Sequence, residues 1–288
     1  MNYRLMLPVS LLIFSAATGC QTPRTTQSAP ATKGGEAIRF VRFQVGPTVA
    51  YGTVEGNRIE SISGDPFGPW QKTGKAYPLT EVQLLSPTVP TKVLAAAGNY
   101  RNHLGSAKEP AHPELFFMSP SSVIATGENI VIPPGANNVH YEAEFVIVIG
   151  KRAKNVSQEE ALNYILGVTS GNDVSARDWQ KADRQWWRAK GSDTFAPCGP
   201  YIISGVNYDN LVMRLRQNGV EKQEHRVQDM IHGPAAMVSF VSKHITLEPG
   251  DLIFTGTSGK TQKIHPGDVI EVEIDGMNIL RNGVQNAE

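Results

Sequence analysis

The chain reads as an α+β protein rich in β structure: a rolled, sandwich-like mixed sheet with a small N-terminal β domain. Three observations predict this. Short apolar runs recur between Gly, Pro and Asn punctuation from residue 38 to the C-terminus. Few stretches carry the helical period. No strand–helix alternation and no repeat of solenoid length is visible, which argues against a parallel α/β sheet and against a repeat array.

The first residues stand outside that fold. Arg4 precedes an apolar run over residues 5–17, too short to span a bilayer comfortably, which closes on Ala17-Thr18-Gly19-Cys20. Small residues before a cysteine resemble a bacterial lipobox, with Ala17 where Leu is usual. Residues 1–19 are expected to be a signal peptide and Cys20 the lipidated residue. Gln21 resembles the residue that follows the cysteine in outer-membrane lipoproteins, so a lipid-anchored place in the cell envelope is expected. Residues 20–37, rich in Thr, Ser, Pro, Gly and Ala, read as a flexible tether because they offer too little apolar surface to bury.

Residues 38–85 read as a small β domain, with runs at 38–43, 49–54 and 58–62 and a Gly/Pro loop over 65–77. Residues 86–286 form the larger domain. Its strands are expected at 93–98, 114–118, 140–150, 167–173, 201–203, 252–257 and 269–274. Ser157-Gln158-Glu159-Glu160 is a capping box, which predicts a helix through about residue 165. Residues 234–243 predict a second helix, and Asn218-Gly219 a hairpin turn within 211–227. Residues 104–113, with Gly, Ser, Lys, Pro and His, read as a loop over a site.

Hydrophobic residues are 40% and charged residues 19% of the 288, which is ordinary for a globular protein with a substantial core. The formal net charge is zero and no basic stripe is visible, so nucleic acid is not an expected partner. If Cys20 carries lipid, Cys198 has no intrachain disulfide partner; it reads as a buried structural thiol.

The chemistry concentrates between His140 and Thr194. Side chains alternate along a strand, so Glu142 and Glu144 share a face. Two carboxylates that close repel each other, and burying them unpaired is costly. A divalent metal between them, with Asp173 as a third oxygen ligand, answers both problems.

Five pieces in order then resemble the fumarylacetoacetate hydrolase (FAH) family: Gly98-Asn99-Tyr100-Arg101-Asn102-His103, His140-Tyr141-Glu142-Ala143-Glu144, Asn172-Asp173 through Gln180, Lys190-Gly191-Ser192-Asp193-Thr194-Phe195, and Gly250-Asp251 through Thr257. The resemblance implies an FAH-like rolled β fold, a homodimer, and Mg²⁺, Mn²⁺ or Ca²⁺ on Glu142, Glu144 and Asp173. It implies a small diketone or 2-oxo acid substrate chelated by the metal and hydrolysed at a C–C bond, as fumarylacetoacetate or an acylpyruvate is. His103 would be the general base, Lys190 the partner of a carboxylate or oxyanion, and Arg177, Gln180 and Thr257 substrate contacts. One position departs from the pattern. Hydrolytic relatives carry Glu three residues after this His, and here Ser106 stands there. Glu109 is the candidate replacement. The alternatives are an isomerase or decarboxylase acting on 2-hydroxyhepta-2,4-diene-1,7-dioate-like or oxaloacetate-like substrates, or a tethered binding protein without turnover.

Overall fold

The structure, a computed structural model, describes residues 37–288. The signal-peptide and tether readings, and Cys20, lie outside the described residues.

The Ala143–Ile149 strand is apolar without alternation after Glu144 because both its faces are covered. Phe145, Ile147 and Ile149 enter one core cluster, and Val146 and Val148 enter another. It pairs antiparallel with Ile165–Asn172 on one side and Leu252–Phe254 on the other. The sheet continues through Ala196–Ser204, Ile38–Val45, Thr48–Glu55 and Arg58–Ser63 to Gln71–Pro78. In the other direction it runs through Val93–Ala97 to Glu114–Met118. Leu252–Phe254 and Val93–Ala97 are parallel, so the sheet is mixed. The N-terminal strands are hydrogen-bonded into it, Ile38–Val45 against Ala196–Ser204, while Val41, Phe43, Val54 and Ile59 form a small core cluster of their own.

A second sheet orders Val220–Arg226, Val212–Gln217, Val269–Ile274, Asn278–Asn286 and Ile130–Ile132. Alternate residues Ile270, Val272 and Ile274 join the same core cluster as Phe145 and Ile147, so this sheet covers one face of the large one. The expected hairpin turns at Asn218-Gly219, whose φ values of 55° and 78° are those a type I′ turn requires. The helix Pro234–His244 begins with Pro in its first turn and buries Met237, Val238 and Val241. No helix among the described residues is long and apolar enough to cross a membrane.

Two expectations fail. Residues 65–77 were expected to be a loop, yet Gln71–Pro78 is a strand. It is a mostly exposed edge, so it has no apolar alternation to betray it. The helix expected from Ser157 does not form. Ser157 Oγ does accept from the Glu160 N–H at 3.3 Å, but only a 3₁₀ turn, Ala161–Tyr164, follows. Sheet pairing takes over there: the Gly150 N–H donates to the Tyr164 carbonyl at 2.7 Å, and Ile165 opens the next strand.

Candidate active site

Glu142 and Glu144 project to the face that carries Val146 and Val148. Asn172 pairs with Ala143 and brings Asp173 beside Glu142, where the Asp173 N–H donates to the Glu142 carbonyl at 2.9 Å. Gly171 leaves room for the side chains packed beside this cluster. A Cβ there would stand 2.4 Å from Val146 Cγ2 and 2.6 Å from Phe254 Cε1. Gly256 is needed for a different reason: its φ of +93° aims its N–H at Glu144 Oε2, 2.7 Å away. The three carboxylates are buried, and they offer ligand atoms within 4.8 Å of one another.

Two cations face these three carboxylates. Buried Lys190 donates to Asp173 Oδ2 at 2.6 Å and to Glu142 Oε2. Arg177 donates to Glu142 Oε1 and, at 2.8 Å, to Gln180 Oε1. Burial pushes the Glu142 carboxyl up, but Lys190, Arg177 and His103 pull it down to about 2. Burial, together with the charges of Asp173 and Glu142, holds the Glu144 carboxyl well above the usual carboxylate range. Asp173 is raised to about 7, chiefly by burial, against the pull of Lys190. Burial lowers Lys190, but Asp173 and Glu142 outweigh it and leave the amine raised. The cluster is thus short of positive charge, and Asp173 Oδ1 is buried without a hydrogen-bond partner. An all-carboxylate donor set with an orphaned oxygen fits a hard divalent cation such as Mg²⁺, Mn²⁺ or Ca²⁺.

A cavity of about 160 Å³ opens onto this cluster. Glu142, Glu144, His103, Arg177, Gln180, Lys190 and Thr257 line it, so most of the expected site residues converge. His103 lies on the short helix Arg101–Leu104. Asn102 pins that helix, donating to Ser258 Oγ at 2.8 Å and accepting from the Gly259 N–H at 3.0 Å. His103 Nδ1 sits 2.7 Å from the Gly259 carbonyl, which can only accept. Nδ1 therefore carries a proton, and Nε2 faces the cluster, 3.6 Å from Glu142 Oε1.

Glu109 does not reach His103 in this structure. Its carboxylate pairs with Arg101 at 2.8 Å and lines a separate cavity with Tyr100, Asn102 and Asp229. The exposed guanidinium of Arg101 holds it there, and it does not accompany His103. Lys190 meets the carboxylates of Glu142 and Asp173 in this structure. His140 stands behind the site, with ring nitrogens 3.0 Å from Thr261 Oγ1 and 3.0 Å from Asn138 Oδ1. Of the tryptophans, Trp179 packs under Arg188, 4.7 Å from its ring, and Trp187 is exposed. Trp186 lines the cavity against Phe116. The small wall Ala96-Ala97-Gly98 and Phe116 were missed; only the adjoining Gly98-Asn99-Tyr100 motif pointed toward them. Cys198 is fully buried, with its thiol pushed up by burial, as a structural cysteine should be.

Comparison with known proteins agrees with this geometry. The family model described as Fumarylacetoacetate (FAA) hydrolase C-terminal matches residues 92–285, and the one described as Rv2993c-like, N-terminal matches residues 38–87. Protein Rv2993c of Mycobacterium tuberculosis is 40% identical over 259 residues, covering 86% of this chain and 98% of that protein. The crystal structure of 2-hydroxyhepta-2,4-diene-1,7-dioate isomerase from Mycobacterium marinum superposes with a TM-score of 0.81 at 39% identity, covering 86% of this chain and 98% of that one. Oxaloacetate tautomerase fahd2, mitochondrial, of Xenopus laevis is 36% identical over 220 residues, covering 71% of this chain and 69% of that protein.

Proposed function

The chain belongs to the fumarylacetoacetate hydrolase family, and from that premise we propose that it is a divalent-metal-assisted isomerase or tautomerase of a small 2-oxo dicarboxylic acid. One observation carries the choice: Ser106 follows His103 where hydrolytic relatives carry Glu, and Glu109 pairs with Arg101 in this structure, so His103 faces the pocket without a carboxylate partner on its own loop. In the hydrolytic pattern a carboxylate beside the imidazole helps it activate water, and that carboxylate is not beside His103 here. Moving one proton between an enol oxygen and the adjacent carbon needs a single group that can take it and give it back. C–C hydrolysis, the leading expectation from sequence, therefore has less support than the isomerase alternative. The names of the mycobacterial isomerase and the amphibian tautomerase point the same way.

Glu142, Glu144 and Asp173 would hold the metal. When bound, it supplies Lewis-acid polarisation of neighbouring substrate oxygens, which acidifies the adjacent carbon. His103 Nε2 takes the proton and returns it, with Nδ1–H fixed on the Gly259 carbonyl throughout. Arg177 and Gln180, already joined by a hydrogen bond, present N–H donors to a substrate carboxylate. Phe116 and Trp186 wall the pocket with apolar surface and limit water.

The test is enol-to-keto conversion of oxaloacetate, read by the loss of enol absorbance with Mg²⁺ or Mn²⁺ present, beside acylpyruvate cleavage. Tautomerisation that falls about 100-fold or more in His103→Ala is expected. Acylpyruvate cleavage without tautomerisation would restore the hydrolase reading. The proposal extends to a homodimer anchored at the envelope through Cys20. Sedimentation of residues 37–288, and the mass of the N-terminal peptide from membranes, test those two parts separately; a monomer, or an unmodified Cys20, would overturn the corresponding part.

A further inference from the structure

We infer that Gln223, which lies on a different sheet from the metal-ligand strand, is a positioning residue that aims the Thr257 hydroxyl proton at the substrate. Gln223 belongs to the Val220–Arg226 strand, yet it is buried and reaches across to the site. Its Oε1 accepts from the Ala143 N–H at 3.1 Å, between the two glutamates. Its Nε2 donates to Thr257 Oγ1 at 2.9 Å and to the Ser258 carbonyl at 2.6 Å.

The amide has only one workable orientation. Turned over, its NH₂ would face the Ala143 N–H and its oxygen would face the Ser258 carbonyl, so both contacts would be repulsive. Both Nε2 protons are therefore spent, one of them on Thr257. An amide nitrogen cannot accept, so Thr257 Oγ1 must be the acceptor there. The one proton of the hydroxyl has no acceptor among the described residues, while Thr257 lines the cavity beside Glu142, Glu144 and His103. Gln223 thus closes off the outward direction and leaves the O–H for a ligand oxygen in the pocket. It also ties the Glu142–Glu144 strand to the 257–258 segment, which sets the distance between metal ligands and donor.

The inference rests on the proposed reading for its substrate class, a 2-oxo acid, and its test is arranged to fail separately. The probe is oxalate, whose paired oxygens mimic the 2-oxo carboxylate, titrated by calorimetry with Mg²⁺ present. Thr257→Val is expected to weaken oxalate about 10- to 100-fold, the range for a hydrogen bond to a charged oxygen. Gln223→Glu keeps the shape but offers an oxygen that draws the Thr257 proton away from the pocket. It is expected to weaken oxalate about tenfold and to raise KM for oxaloacetate by a similar factor, with kcat changed less than about threefold. In the Thr257→Val background the Gln223→Glu change should weaken oxalate several-fold less than it does in the wild type, because the proton it redirects is gone. A purely structural glutamine would give additive losses. If melting shows that Gln223→Glu does not fold, Gln223→Met takes its place in the same cycle, with the same non-additivity expected. Unchanged oxalate affinity in the Gln223 variant, additive losses in the double variant, or no oxalate binding by the wild type would each overturn the inference. Oxalate coupling without oxaloacetate turnover would sink the proposed function and leave Gln223's role standing.

Discussion

The strands that carry Glu142, Glu144 and Asp173 and the segment that carries His103 and Glu109 meet at one pocket but are built differently. On the strand side the three carboxylates are 4%, 1% and 0% exposed, and their positions follow from antiparallel register. Lys190 and Arg177 enclose them, Gly171 leaves room for the Val146 and Phe254 side chains, and Gly256 turns its N–H onto Glu144. On the other side a helix of four residues, Arg101–Leu104, leads into a loop whose ion pair between Arg101 and Glu109 is 78% and 38% exposed. His103 itself is held by a few bonds to the 258–259 segment. The rigid side can fix a cation and the shape of a substrate. The side built from a short helix and loop supplies the group that moves the proton.

The largest effect should come from removing the cation inside the rigid side. Lys190→Met leaves Glu142 and Asp173 facing each other with one partner gone, at a cost of about 3–5 kcal/mol. Urea unfolding without metal would show it, and added Mn²⁺ should recover part of the loss. A loss under about 1 kcal/mol would mean that these carboxyls are not held as ions by Lys190.

Next in size is an acid limb set by His225, which packs between Tyr100 and Phe145 with neither ring nitrogen bonded. Burial lowers its pKa from 6.5 to about 3. The depressed value means that its contribution to stability is complete above 6.5 and is lost as pH falls toward 3, because the unfolded chain takes up the proton first. Acidification to about pH 4 should therefore cost on the order of 3 kcal/mol through this residue alone. His225→Leu should flatten that limb; an equally steep limb in the variant would place the titration elsewhere.

The smallest effect belongs to the loop. Glu109→Gln should change stability by less than about 0.5 kcal/mol and turnover by less than about twofold, because it breaks only an exposed pair. A loss of turnover of about 100-fold, measured beside His103→Ala, would show that Glu109 swings to the imidazole during reaction and would erase the contrast between the two sides.

These two sides were not equally legible in the sequence. Strand periodicity alone put Glu142 and Glu144 on one face, and the apolar run after them marked a buried strand. Asp173 was readable because it stands at a strand end in a recognisable motif. Lys190 was found, but not its partners, because which carboxylate a lysine meets depends on the crossing of segments remote in sequence. Gln223 gave no signal, since an amide on a hairpin is ordinary until the second sheet packs its side chain against the first. The place of Glu109 was not legible for the complementary reason: loop residues have no period to orient them, and its carboxylate lies against Arg101 in this structure. The Gln71–Pro78 strand was invisible because its pairing is by backbone at an exposed edge.

The central claim is that Glu142, Glu144 and Asp173 form a divalent-cation site. Calorimetric titration of Mn²⁺ into metal-stripped wild type, Glu144→Gln and Asp173→Asn tests it most directly. One Mn²⁺ per chain is expected in the wild type, with affinity lower by about 100-fold or more in either variant, since losing a ligand should cost at least as much as losing its supporting hydrogen bond. Wild-type protein that takes up no Mn²⁺, or variants that bind it as tightly, would contradict the account.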